Sequence, residues 1–251
     1  PYATKMETVL ADLALLTTDA GGHPRLIWRP RKKVELVVIT SDRGLCGAYN
    51  SNILRTASQQ LEAIKKEGVE VSVSVVGRKA RDYFKRRNVA MRRTWTGLSG
   101  KLTYSDAQGI AKDIVDAYVS ETVDEFIFIF SEFKSMLVQK PIIKRLLPIA
   151  EIGEGEVSSK TSTLGTFEFE PSRELLFERL MPKYIEIQVY RALLESQASE
   201  EAARMTAMEN ASKNCDDLIK KVTLIANKVR QASITKELMD IVGGVEALEK
   251  S

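Results

Sequence analysis

Between Pro182 and Leu248 apolar residues recur mostly at steps of three, four or seven: Tyr184, Ile187, Leu194, Ala198, Ala202, Met205, Met208, Cys215, Leu218, Val222, Ile225, Val229, Ala232, Leu238, Ile241 and Val245. This period predicts an α-helix, and so narrow a stripe is a seam for a partner helix rather than a broad core face. Small residues in it, Ala198, Ala202 and Ala211, permit close approach of that partner. No proline follows Pro182, and the next glycine is Gly243. At ~1.5 Å rise per residue the stretch makes a rod of roughly 100 Å. That is several times the usual helix of ~11–12 residues, too long for the domain that precedes it.

Upstream the pattern is different. Short β-branched runs at Glu35–Thr40, Val69–Val76 and Glu125–Phe130 predict buried strands. They alternate with helical spacing over Ala48–Lys66, Arg78–Arg87 and Thr103–Ser120, the first closed by Gly68 and the last capped by Thr103 or Ser105. Such alternation predicts an open α/β sheet with helices on its faces. Pro141 and Pro148 bar a regular helix over Ser135–Ile149, which is expected to be an extended edge segment. Gly153–Ser162 reads as a polar loop, and Phe167–Phe169 as extended. A short helix is expected after an N-cap at Ser172, with Pro182 in the first turn of the next. Helical spacing also runs through Met6, Val9, Leu10, Leu13 and Leu16, before the break at Asp19–Pro24. The expected organisation is a helical segment over 1–20, an α/β domain over 21–171, and the short and long helices over 172–251.

Composition narrows the possible chemistry. The net charge of +3 neither demands nor excludes nucleic acid, and the basic helix Arg78–Arg87 has only Tyr83 and Phe84 as interleaved aromatics. Cys46 and Cys215 lie far apart in unlike contexts, which argues against a disulfide framework. With His23 as the only histidine, and that in a polar loop, a metal site is poorly supported. No apolar run approaches the ~18–20 residues of a membrane span.

One turn invites an enzyme reading. Ser41–Gly47 joins the first strand to a helix, where α/β proteins bind phosphate. There Arg43 would hold an anion and Cys46 would be a nucleophile. The glycine-rich phosphate fingerprints are absent, however, and no second histidine exists to activate Cys46. The plainer reading is a tight turn made by Gly44 and Gly47 with Cys46 packed inside.

The long helix carries an uneven charge. Lys213, Lys220, Lys221, Lys228, Arg230 and Lys236 are set against only Asp216 and Asp217 in that interval, which suits an acidic partner surface. Asn227–Glu237 adds Gln231, Ser233 and Thr235, donors able to grip a partner loop directionally.

Three segments in order, SDRGLCGAYN (Ser41–Asn50), ASEEAARMTAMENAS (Ala198–Ser212) and RQASITKELMDIVGG (Arg230–Gly244), resemble the gamma subunit of rotary F-type ATP synthase. The resemblance covers essentially the whole chain. It implies a Rossmann-like open α/β foot domain and a long C-terminal helix in an antiparallel coiled coil with an N-terminal helix largely missing from this chain. It implies a rotor shaft without an active site, cofactor or metal, one copy per complex. Its partners would be the alpha and beta subunits, the epsilon subunit and the ring of c-subunits, on the cytoplasmic face of a bacterial inner membrane or the matrix face of a mitochondrial one. Carried over by motif, Arg230, Gln231 and Thr235, with Glu237 beside them, would contact catch loops of the alpha and beta subunits. Arg204 would face the beta-subunit levers near the base of the shaft. The cysteine pair of the chloroplast-type redox switch is not present.

Overall fold

The computed structural model describes residues 30–148 and 173–249, with side chains of the last helix described over 180–245. The expected N-terminal helix, the loop at 153–162, the extended 167–169 and the cap at Ser172 lie outside the described residues. The chain forms two compact units, one ending at Arg204 and one beginning at Met205.

In the first unit the strands are β1 (Lys33–Ile39), β2 (Glu70–Val76), β3 (Met91–Trp95), β4 (Glu125–Phe133) and β5 (Gln139–Leu147). They form one sheet in the order β3-β2-β1-β4-β5, parallel except for β5. Helices α1 (Tyr49–Lys66), α2 (Arg78–Arg86) and α3 (Tyr104–Val119) connect the parallel strands. The final helix, α4, runs over Arg173–Glu249.

Alternation along β1 assigns the faces. Leu36 and Val38 pack with Ile53, Ile64 and Phe84 under α1 and α2. Val37 and Ile39 point the other way, to Ile110 and Ile114 of α3 and to Met181, Ile185 and Val189 of α4. Both faces are covered, so the central strands are continuously apolar rather than alternating. Each fully buried Leu, Ile or Phe contributes about 1.5–3 kcal/mol by leaving water. Thr103 caps α3 reciprocally: its hydroxyl accepts from the Asp106 amide, and the Asp106 carboxylate accepts from the Thr103 amide.

The strands and helices expected between Glu35 and Phe130 are present, and the proline-bearing segment is an antiparallel edge strand in which Pro141 lies opposite Ser131. Two features differ from the sequence reading. Met91–Trp95 is a fifth strand, β3, that apolar patterning passes over. Its Arg92 reaches the fully buried Glu35 and also Asp113, while Arg93 also pairs with Asp113. Burial works against the Arg92 charge, but hydrogen bonds to these two carboxylates outweigh it and hold its pKa above the ordinary value. The second difference is at Pro182, which lies inside α4 instead of opening a separate helix. A proline there removes the donor to the Glu178 carbonyl and its ring crowds that carbonyl. Burial of Met181, Tyr184 and Ile185 against the sheet offsets the missing bond.

The second unit comprises the remainder of α4. Every described side chain from Met208 to Val245 is exposed. Leu218, Val222, Ile225, Val229, Leu238 and Ile241 of the seam are each more than half exposed.

Candidate coupling surface and the strand–turn–helix crevice

In a sheet of this order the crevice lies beyond the carboxyl ends of β1 and β4, where neighbouring connections leave in opposite directions. The turn after β1 does come to this edge, but it is built to hold itself. The Ser41 hydroxyl donates to the Arg43 carbonyl, and the Ser41 amide donates to Asn50 Oδ1 at 3.1 Å. Cys46 is buried, and its sulfur accepts from Asn50 Nδ2 at 3.1 Å. Arg43 is exposed to solvent, away from any such packing.

The anion position of this edge is taken by the chain's own carboxylate. Asp42 accepts from the backbone amides of Arg78 at 3.0 Å, Gly97 at 2.8 Å and Ser99 at 3.2 Å. The Arg78 amide opens α2, where the helix dipole favours negative charge. These are the groups a phosphate would use, and they are satisfied by Asp42. Gly77 lets the chain pass here at φ 94°, and a Cβ on it would meet the Thr40 carbonyl oxygen at 2.3 Å.

Beside the turn a cleft of about 520 Å³ opens between α1 and α2, lined by Cys46, Arg55, Glu62, Lys79, Tyr83 and Arg86 among others. Glu62 is its one carboxylate and it has no histidine, so it presents no paired acid and base. Among the described residues no group of histidine, cysteine, aspartate or glutamate side chains could hold a metal ion.

Helix α4 closes the same edge of the sheet. Tyr49 donates its hydroxyl to the Ser196 carbonyl at 2.9 Å and lies 2.6 Å from the Ser196 hydroxyl. Burial raises the Tyr49 pKa far above that of a free phenol, so its proton stays available for this bond. Ser199 donates to the Ser131 carbonyl at 3.1 Å, and the Ser99 hydroxyl donates to Glu200 at 3.2 Å. None of these buried polar contacts had a signal in the hydrophobic pattern. Only the polar letters at 196, 199 and 200, on the side of the helix opposite the seam, hinted at them.

The residues expected to touch partner subunits divide between the two units. Arg204 is at the end of the first and is held by ion pairs to Glu200 and Glu201, each at 2.5 Å. Burial opposes its charge, but hydrogen bonds to the two carboxylates prevail and raise its pKa. Arg230, Gln231, Thr235 and Glu237 are all exposed on the second unit. Arg230 and Glu237 share a face at a spacing of seven, while Gln231 and Thr235 sit together at a spacing of four. The Thr235 hydroxyl donates back to the Gln231 carbonyl at 2.9 Å, and Ser233 to Glu237 at 3.4 Å. Arg230 and the Gln231 side chain meet no described residue in a hydrogen bond or ion pair.

An α/β domain whose phosphate position is filled from within, joined to a solvated helix that displays apolar residues, is a protein built for contact with other chains. Comparison with known proteins gives its family. A family model described as ATP synthase matches residues 1–248. The ATP synthase gamma chain of Syntrophobacter fumaroxidans is 45% identical, over 100% of this chain and 85% of its own length. That of Heliobacterium modesticaldum is also 45% identical, over 99% of this chain and 85% of its own. The chain belongs to the ATP synthase gamma chain family. Its fold is also that of a chain in the mitochondrial ATP synthase of Euglena gracilis, with a TM-score of 0.62 at 20% identity, covering 98% of this chain and 90% of that one. A chain from the central stalk and c-ring structure of the Tetrahymena thermophila enzyme matches with a TM-score of 0.54 at 21% identity, over 84% of this chain and all of that one. The enzyme reading of the Ser41–Gly47 turn is not favoured.

Proposed function

We propose that this chain is the non-catalytic central-stalk rotor of a proton-translocating ATP synthase. It carries rotation of the membrane c-subunit ring to the catalytic alpha and beta subunits, for ATP synthesis or, in reverse, hydrolysis. The observation that carries this reading is the exposed seam of α4. In water the apolar side chains of Leu218, Val222, Ile225 and Val229 gain nothing, so their value lies in an assembly. The filled anion position at Asp42 supports the non-catalytic part, since it occupies three backbone donors that a nucleotide phosphate would use.

Within this reading the α/β sheet with helices α1 to α3 is the foot, facing the epsilon subunit and the c-ring, and α4 packs on it up to about Arg204. The remainder of α4 enters the alpha–beta hexamer. Residues 1–20 would pair with α4 as the antiparallel partner helix, 21–171 form the foot domain, and 172–251 supply the shaft. Arg230, Gln231 and Thr235 grip catch loops of the alpha and beta subunits, with Glu237 adding a carboxylate on the same stretch. Arg204 is the weaker contact residue, because its guanidinium is already held by two carboxylates of its own helix. The complex lies on the cytoplasmic face of a bacterial inner membrane. Among the described residues no helix is long and apolar enough to cross it, consistent with attachment through other subunits.

The experiment is Arg230→Ala in the assembled, membrane-bound complex. It should weaken assembly or ATP-driven proton pumping while the nucleotide sites keep their chemistry. Normal assembly and unchanged pumping would contradict the assignment. Tight ATP binding by the purified chain alone would contradict the non-catalytic reading.

A further inference from the structure

Up to Leu193 the interface between α4 and the α/β domain is mainly apolar, with Gln188 tied to Lys144 of β5 and Glu186 to Tyr104 and Gln108 of α3 at its margins; the next turn is mainly polar. Met181, Tyr184, Ile185, Val189, Ala192 and Leu193 bury mainly carbon surface. The next turn buries Ser196, Ser199 and Glu200, each no more than 3% exposed. Polar groups are costly to bury and are kept only with partners, so their clustering here needs a reason beyond cohesion.

Their partners supply it. Ser196 is tied to Tyr49 at the start of α1, Ser199 to the Ser131 carbonyl in β4, and Glu200 to Ser99 in the turn after β3. Three separate pieces of the foot therefore hold one turn of helix. Glu200 has its other oxygen on Arg204, so its position is fixed from both sides. Ser99 is in turn fixed by Asp42, whose carboxylate accepts from the Ser99 amide and whose own amide donates to the Ser99 hydroxyl oxygen at 3.3 Å. Hydrophobic contact is non-directional, so it resists a small rotation of the helix about its axis less stiffly than an aligned hydrogen bond does. Directional hydrogen bonds from three directions oppose that turning.

We propose that Ser196, Ser199 and Glu200 are the positioning residues through which torque passes between the foot sheet and α4. Glu200 is the central one. This rests on the rotor reading above and adds to it where in the foot the twisting load is borne. The Asp42 turn then has a mechanical role, because it stiffens the Ser99 anchor and thereby Glu200.

The test uses the assembled complex fixed through its beta subunits, with a bead on the foot at Lys66→Cys and with Cys215→Ser to keep labelling single. Angular fluctuation of the bead during the ATP-waiting pause is compared with the unloaded ATP hydrolysis rate. Glu200→Gln keeps size and a weaker bond. Ser99→Ala and Ser199→Ala each remove one tie. Because the apolar packing and the Gln188–Lys144 bond share the load, loss of one of the three ties should raise the angular variance by at most roughly 1.5-fold. Unloaded hydrolysis and assembly should stay near wild type while the variance rises, a split that loss of a purely structural contact would not predict. Unchanged variance in all three variants, in a complex whose wild type rotates, would overturn this proposal alone. A wild-type foot that stays still while ATP is hydrolysed would overturn the rotor reading, and this proposal with it.

Discussion

Two stretches of one helix behave differently. Between Met181 and Ala202, α4 has a buried face that recurs every three or four residues against a sheet. From Met208 to Val245 the same helix has no buried described side chain, although large apolar residues are about as frequent along it. The first stretch meets its partner within the foot. The second displays a pattern that only a further helix or subunit can use. Apolar periodicity therefore reports that a contact is made, and not whether the partner lies in the described part of the same chain.

Several substitutions would break or sharpen this contrast. The largest effect should come from the core under β1. Leu36→Ala is expected to destabilise the isolated chain by about 2–5 kcal/mol, whereas Ile225→Ala should stay within about 0.5 kcal/mol. Thermal unfolding of the two variants measures the difference, and equal losses would erase the contrast. Gly77→Ala should cost at least about 1–3 kcal/mol, because it combines an unfavourable φ with a Cβ against the Thr40 carbonyl oxygen. Its signature is a lower melting temperature with the second unit's helical signal retained.

A smaller effect, about 1 kcal/mol, is expected for Thr103→Ala at the α3 cap. It has a pH dependence whose sign follows from Asp106. Hydrogen bonds from the Thr103 hydroxyl and amide hold the Asp106 pKa below the usual carboxylate value. The stabilisation is therefore complete above the unfolded pKa and is lost as pH falls through the folded one. Denaturant titrations of wild type and variant should differ most at neutral pH and less in strong acid, where only the bond from the Asp106 amide to the Thr103 hydroxyl is left to lose. The smallest effect on stability, and the largest on coupling, belongs to Arg230→Ala. Its melting temperature should match wild type, while ATP-driven proton pumping in the assembled complex falls.

The contrast also explains what could be read in advance. Strands β1, β2 and β4 were legible because they are buried on both faces, and α3 because it carries a cap. β3 was not, because Arg92 and Arg93 break its apolar pattern. Their partners, Glu35 and Asp113, are distant in sequence, and only folding brings the charges together. Pro182 looked like a boundary because the burial that tolerates it depends on tertiary packing. The set Arg230, Gln231, Thr235 and Glu237 is proposed from its family motif, and in the structure its side chains are exposed. The buried set Tyr49, Ser196, Ser199 and Glu200 was not, since a serine in a helix does not announce the carbonyl or hydroxyl it will meet.

The central claim is that the chain turns as a shaft and does no chemistry of its own. The most direct measurement fixes the assembled complex through its beta subunits, attaches a probe to the foot, and supplies ATP. Unidirectional stepwise rotation of the foot, with no ATP bound by the chain in isolation, is the predicted result. ATP hydrolysis with the foot stationary relative to the beta subunits would contradict it.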